Sequence, residues 1–309
     1  MVELTTVVNP PQAVFDQIVH LTSETEDWSN QVQEYKFWKA NFDNFWLYTV
    51  VEKNTQKLVA SVTLARWDDP KNGPLYSVGL FYCTQKYRGQ GHAKPLFDAI
   101  MKIVGDNNAC LYGAVKMSEK YAKVYGFNQM PSFWHYYGKI EMADLKIPDI
   151  PVSGNLFVVK NWQEVAENEL AAYDLTICPR NRWRLMKEWF GMENTFTKVV
   201  LDKTGVIQGY GTLRVCAHGK LLASPFYAEN LDAATSLLSG LLQGIPNLNE
   251  HSRLGFWYPE INRNAEKLME TFSMKFSSRK GFRSQFTKAI IETPHEKVYS
   301  LSDTQHQFV

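Results

Sequence analysis

The run from Tyr82 to Ile100, YCTQKYRGQGHAKPLFDAI, is the part of this chain whose residue types and spacing best suit chemistry. An apolar strand ends, a short basic and glycine-rich turn follows, and an amphipathic helix begins. The first N–H groups of a helix lack intrahelical acceptors, and the macrodipole adds partial positive charge there. The main chain from Arg88 through Gly89, Gln90, Gly91 and His92 to Ala93 can therefore wrap a phosphate. Gly89 and Gly91 permit unusual dihedrals and close backbone approach, and Pro95 falls in the first turn, where its missing N–H costs nothing. Two familiar phosphate loops are excluded by spacing. A dinucleotide fingerprint would need Gly or Ala where Lys94 stands, and the Gly-Lys-Ser/Thr run of a nucleotide-triphosphate loop is absent.

Arg88-Gly89-Gln90-Gly91-His92-Ala93 matches an R-x-x-G-x-A pattern, and Tyr125-Gly126-Phe127 matches a second signature in which a helix ends in Gly-Phe before a strand. On these residues the first half of the chain resembles the GCN5-related N-acetyltransferases, the GNAT superfamily. The resemblance implies an α/β (α+β) domain with a mixed, mostly antiparallel sheet, a splayed pair of parallel strands and helices on both faces. It also implies acetyl-CoA or another acyl-CoA as co-substrate. The pyrophosphate would sit on residues 88–93, and the pantetheine arm on the main chain of Phe81, Tyr82 and Cys83.

Aminolysis requires a base, because an amine with a pKa near 10 is mostly ammonium at neutral pH. The family often places a Glu on the strand before the loop, but residues 75–82 hold no carboxylate. Glu26, Asp27 and Glu34 are the candidate acids near the implied acceptor loop, and His135 on a later strand is another possible base. The family's usual general acid is a Tyr at the position of Ala122, so Tyr121, one residue away, is the substitute considered. A thiolate leaving group makes that acid less necessary. The aromatic residues Trp28, Phe37, Trp38, Phe42, Phe45 and Trp46 either fill the core or shape the acceptor pocket, and 133–137 could close the same pocket.

The elements that must position these groups follow from periodicity. The first half reads as strand 3–8, helices 11–21 and 28–45, strands 46–52, 58–67 and 75–84, helix 92–104, strand 109–114, helix 117–125 and a closing strand 132–140. A Pro- and Gly-containing stretch, residues 144–155, then makes the best linker. The element order restarts after it, and the GLFY at Gly79 pairs with the SPFY at Ser224. We read this as a diverged internal duplication. Residues 1–143 form the first domain, 156–295 the second, and 296–309 a tail. The second half resembles the acetyltransferase-like domain at the C-terminus of certain bacterial and animal acetyltransferases, through Tyr173-Asp174, Arg182, Gly209-Tyr210-Gly211, Ser224–Ala228, Asn262 and Ala265. Its phosphate loop is gone. AENLDAA stands in its place, with Glu229 and Asp232 where like charge disfavours phosphate, and Asp232 as a possible helix cap.

Length and composition agree with this outline. At about 150 residues per domain, 309 residues suit two domains. A net charge of +1 lacks the footprint of a dedicated nucleic-acid or anionic-membrane binder, and no run is apolar for long enough to span a bilayer. The four cysteines form no CxxC pair and the seven histidines no HxxxH, so free thiols and no metal site are expected, in the cytoplasm. The implied function is an acetyl-CoA-dependent N-acetyltransferase of a small primary amine, with the chemistry in the first half. The protein would be a monomer with an internal pseudo-dimer or a homodimer. The rival is a non-catalytic acyl-CoA sensor or interaction module.

Overall fold

The computed structural model describes residues 2–149 and 156–307, so residues 150–155 of the expected linker lie outside the described residues. The described chain forms two compact units that do not follow its halves. Unit 1 holds Met1–Met130, Ser284–Ile290 and Gln305–Gln307; unit 2 holds Pro131–Arg283 and Ile291–Thr304.

Unit 1 runs β1 (Leu4–Val8), α1 (Gln12–Thr25), α2 (Glu34–Asn41), β2 (Asn44–Glu52), β3 (Leu58–Asp69), β4 (Gly73–Cys83), α3 (Lys94–Val104), β5 (Asn108–Ala114) and α4 (Ser118–Tyr125). Its strands lie in chain order, antiparallel except for the parallel pair β4–β5. Thr287 pairs with Ala109 at the outer edge of β5, donating its N–H to the Ala109 carbonyl at 2.9 Å. The α3 stripe Leu96, Phe97, Ile100 and Val104 is fully buried against Val62, Leu64 and Val78 of the sheet. The helix-period pattern of those residues is thus what seats α3.

The second core of unit 1 is aromatic. Phe15 of α1, Tyr35 and Trp38 of α2, and Phe42 and Phe45 pack together, joined by the His306 ring at 4.8 Å from Trp38 and 5.4 Å from Phe42. The aromatic residues Phe37, Trp38, Phe42 and Phe45 are therefore core. The helix expected over 28–45 is shorter than its aromatic period suggests. The Asn41 amide donates to the carbonyl of Phe37, and the strand begins at Asn44, where alternating burial replaces the helical stripe.

Unit 2 runs β6 (His135–Glu141), β7 (Phe157–Asn161), α5 (Glu167–Ile177), α6 (Trp183–Phe190), β8 (Thr195–Asp202), β9 (Ile207–Cys216), β10 (Lys220–Ala228), α7 (Leu231–Gln243), β11 (Arg253–Pro259), α8 (Arg263–Phe272), β12 (Ser277–Phe286) and β13 (Val298–Ser300). The order from β7 to α8 repeats the unit 1 order from β1 to α4, and here too one pair, β10–β11, is parallel. The strand expected to close the first half, β6, instead lies between β11 and β12 of unit 2. It fits there because a Cβ on Gly138 would collide with Met269 and Tyr258. The expected tail is likewise no tail: Val298, Tyr299 and Ser300 are buried in unit 2 and His306 in unit 1.

A buried ionic group sits at the centre of unit 2. Asp174 of α5 takes two hydrogen bonds from Arg182, at 2.8 Å and 3.1 Å, with both side chains shielded from solvent. The Tyr210 hydroxyl also donates to Asp174, and Arg182 reaches Ser302 at 3.3 Å. Removing one partner would leave the other charge buried and unpaired, so Asp174→Ala is expected to cost about 3–5 kcal/mol in urea unfolding. A loss below about 1 kcal/mol would show that the pair is dispensable.

His306 and His135 are both fully buried among rings, His135 between Phe133 and Phe282, and burial pushes each imidazole down to about 3 from the ordinary 6.5. The folded state keeps them neutral while the unfolded chain protonates them below about pH 6.5, so the unfolded state binds more protons there. Their contribution is complete above pH 6.5 and is lost as pH falls toward 3. We expect stability to drop between pH 7 and 5, and His306→Phe to shrink that slope by up to about 1.4 kcal/mol per pH unit. Unfolding curves at the two pH values check this, and equal slopes in both proteins would contradict it.

Candidate functional site

At the end of β4 the chain passes through a 3-10 turn at Gln85–Tyr87 and the loop 88–93 before α3 begins at Lys94. Gly89 and Gly91 have φ of +77° and +85°, and a Cβ on either would meet nothing within 4 Å. The glycines are there for the left-handed backbone and for open approach. No side chain caps α3, its first turn contains Pro95, and that turn holds no acidic residue. These features fit a phosphate. Arg88 is tied down beside them. Its Nε donates to the Cys83 carbonyl at 2.9 Å, and its guanidinium pairs with Glu26 and lies over the Tyr82 ring. The structure therefore brings Arg88–Ala93 and Phe81, Tyr82 and Cys83 together at one strand end.

The parallel pair beside that loop opens. β4 and β5 are in register from Leu75 opposite Asn108 to Val78 opposite Leu111, and β4 then bulges. Its pairing with β3 slips between Gly79 and Tyr82, with Leu80 at φ +42°, a backbone region that a leucine rarely adopts. The Ser61 hydroxyl holds the bulge by donating to the Leu80 carbonyl at 2.9 Å. A strand edge that has left its neighbour presents main-chain donors and acceptors to an extended ligand. Phe81, the next residue, packs on Phe97 and Tyr121.

Unit 2 treats the same place differently. β10 and β11 are in register from Lys220 opposite Arg253 to Ala223 opposite Phe256, and the β10 pairing then shifts at the cis Ser224–Pro225 bond. Here β13 enters the opening. Ser300 pairs with Phe226, its hydroxyl donates to the Ala223 carbonyl at 2.6 Å, and the N–H of Leu301 reaches Trp257 of β11 at 2.9 Å. The N-terminus of α7 is capped by Asn230, which accepts from Ala233, rather than by Asp232, which stands in the first turn. Asn230 precedes the helix and so can reach back to its free N–H groups. Glu229 pairs with Lys297 at 2.8 Å. In unit 2 β13 stands where the parallel pair separates, and in unit 1 a glycine loop stands beside the corresponding place.

The proton-transfer candidates divide. Tyr121 lies in the unit 1 core, stacked 5.5 Å from Phe97 and near Phe81, and burial pushes its hydroxyl well above the ordinary tyrosine range. Glu34 is fully buried at the start of α2 and takes a hydrogen bond from Asn30 at 2.8 Å. Glu26 is engaged by Arg88. His135 belongs to unit 2, as do Phe133 and Tyr137, and its depressed basicity makes it a poor base. Sequence reasoning missed Asn30 and Gln305. Gln305 donates to Asn30 at 3.3 Å and accepts from the N–H of Leu80 at 3.4 Å. The bulge gave the only sequence trace of that site, because Gly79 leaves room where a Cβ would collide with the Gln305 carbonyl.

Comparison with known proteins gives the family of the chain and the likeness of its fold. A family model described as a protein of unknown function, DUF1248, matches residues 2–177, and a model described as an acetyltransferase (GNAT) domain matches residues 170–300. The fold is similar to that of a candidate acetyltransferase from Pyrococcus horikoshii, with a TM-score of 0.69 at 13% identity over 98% of this chain and 95% of that one. It is also similar to a tandem GNAT protein from the clavulanic acid biosynthesis pathway, with a TM-score of 0.65 at 11% identity over 97% of this chain and all of that one. A GCN5-related N-acetyltransferase from Sphaerobacter thermophilus gives 0.55 at 10% identity, over 96% of this chain and 98% of that one. No curated protein is matched by this sequence. These matches lead to one statement: the chain belongs to the DUF1248 family, its residues 170–300 match an acetyltransferase (GNAT) domain, and its fold is similar to that of a tandem GNAT protein.

Proposed function

We propose that unit 1 transfers an acetyl group from acetyl-CoA to a small primary amine, and that unit 2 is a sibling without a cofactor site. The observation that carries this reading is the contrast between the two parallel pairs. In unit 1 the pair opens beside an uncapped glycine loop, and in unit 2 strand β13 occupies the opening. The co-substrate supplies an activated thioester carbonyl. The N–H groups of residues 88–93 hold its pyrophosphate, and the main chain of Phe81, Tyr82 and Cys83 pairs with its pantetheine arm.

Glu34 takes the ammonium proton in this reading. Of the acids near the loop, it is the one joined through Asn30 and Gln305 to the bulge, whereas the carboxylate of Glu26 is held by Arg88. The amine nitrogen then bonds to the carbonyl carbon, the carbon–sulfur bond breaks, the electron pair leaves with sulfur, and the second proton that nitrogen loses on becoming an amide passes to the departing thiolate. A main-chain N–H of the bulge polarises the carbonyl, in the manner of an oxyanion hole. Tyr121 is the hydroxyl available to return a proton to sulfur, although a thiolate can leave without one.

Acetyl-CoA is expected to raise the Tm of the full chain, and Arg88→Glu or Gly91→Asp to abolish the rise by bringing negative charge to the phosphate. Unchanged melting of the wild type in millimolar acetyl-CoA would end this reading. Glu34→Gln is expected to lower kcat by about 10²–10⁴ with little change in the cofactor-induced Tm shift. Full burial of Glu34 favours one other reading, an acyl-CoA sensor. An amine library read by thiol release separates them: saturable binding without release supports the sensor, and turnover supports the enzyme.

A further inference from the structure

The acceptor side of the unit 1 opening is already built, and a segment from the far end of the chain builds it. One face of the β4–β5 pair is filled by α3, through Val78 and Leu111. On the other face, just where the pair separates, lie residues 305–307. The N–H of Gln307 donates to the Ser77 hydroxyl at 2.8 Å, and its carbonyl accepts from the thiol of Cys110 on β5. Two residues back, the Gln305 carbonyl fills the space above Gly79, and its side-chain amide binds the Leu80 N–H of the bulge. The ring between them, His306, anchors the segment among Trp38, Phe42 and Phe45. All three residues are buried.

We propose that Gln305–Gln307 form the acceptor-side wall of the site, with Gln305 the specificity-determining residue that limits which amines reach the bulge. The inference rests on the acetyltransferase reading of unit 1. Its substance is steric and polar together. An amine that comes to the opening from this face meets the Gln305 amide first, because that amide spans the gap between Asn30 and Leu80. A small primary amine can pass beside it or exchange for its hydrogen bonds, whereas a bulky one is stopped by a segment pinned through a buried ring. Specificity then lies in what the wall rejects.

The test uses full-length wild type, Gln305→Ala and, as a more conservative change, Gln305→Asn, with acetyl-CoA and primary amines graded in size from ethylamine to tryptamine. Thiol release is followed, and the acetyl-CoA-induced Tm shift is measured in parallel to show that the cofactor loop is intact. We expect Gln305→Ala to raise kcat/KM for tryptamine relative to ethylamine by at least about tenfold, with the Tm shift unchanged and Gln305→Asn in between. An unaltered size profile, or an equal loss for all amines, would overturn the proposal. If no protein in the set responds to acetyl-CoA, the transferase reading fails separately. The wall is then read by N-ethylmaleimide labelling of Cys110, located by mass spectrometry. Faster labelling in Gln305→Ala than in wild type supports a wall over this face, and equal labelling refutes it.

Discussion

A parallel strand pair that separates leaves two rows of main-chain donors and acceptors without their usual partners, and the rest of this protein follows from how each unit meets that demand. Unit 2 meets it with its own chain: β13 enters the opening, hydrogen bonds run to both β10 and β11, and the place is closed. Unit 1 meets it without a strand: residues 305–307 reach Ser77, Leu80 and Cys110 through side-chain hydrogen bonds, and a loop with two left-handed glycines and an uncapped helix stands beside them. The two units thus differ in one local choice, whether a strand enters beside the parallel pair. In the proposed reading a net charge of +1 is no obstacle, since aligned N–H groups at a helix start attract phosphate without a basic surface.

Much of this was legible in the residues, and the reasons are local. Glycines at 89 and 91 followed by Pro95 announce a loop and a helix start, because dihedral freedom and a missing N–H are properties of single residues. GLFY and SPFY were legible as a pair because each lies at a register shift, in β4 and in β10, the strands that pair in parallel with β5 and β11. The stripe of α3 and the alternation of β2 likewise reflect one period each.

What the sequence hid was pairing at long range. Nothing in HYYGKIE says which strands it joins, and the close packing of Gly138 against Tyr258 and Met269 involves residues more than a hundred positions away. The aromatic residues of α2 were ambiguous for a related reason. Their fate as core depends on His306, a residue that no window around them contains. Gln305 and Asn30 were invisible because an amide that bridges two elements carries no spacing signature.

The reach of those last residues has a further consequence for how the chain acquires its structure. Gln307 bonds to Ser77 across a separation of 230 positions, and Thr287 completes the edge of β5 at Ala109. Contacts this distant must close very large loops before they are formed, which makes the topology slow. Residues 1–130, although first to be synthesised, cannot finish their own core until residues from the other end have arrived. A cut between the two halves would therefore strip unit 1 of residues 284–290 and 305–307, which complete it.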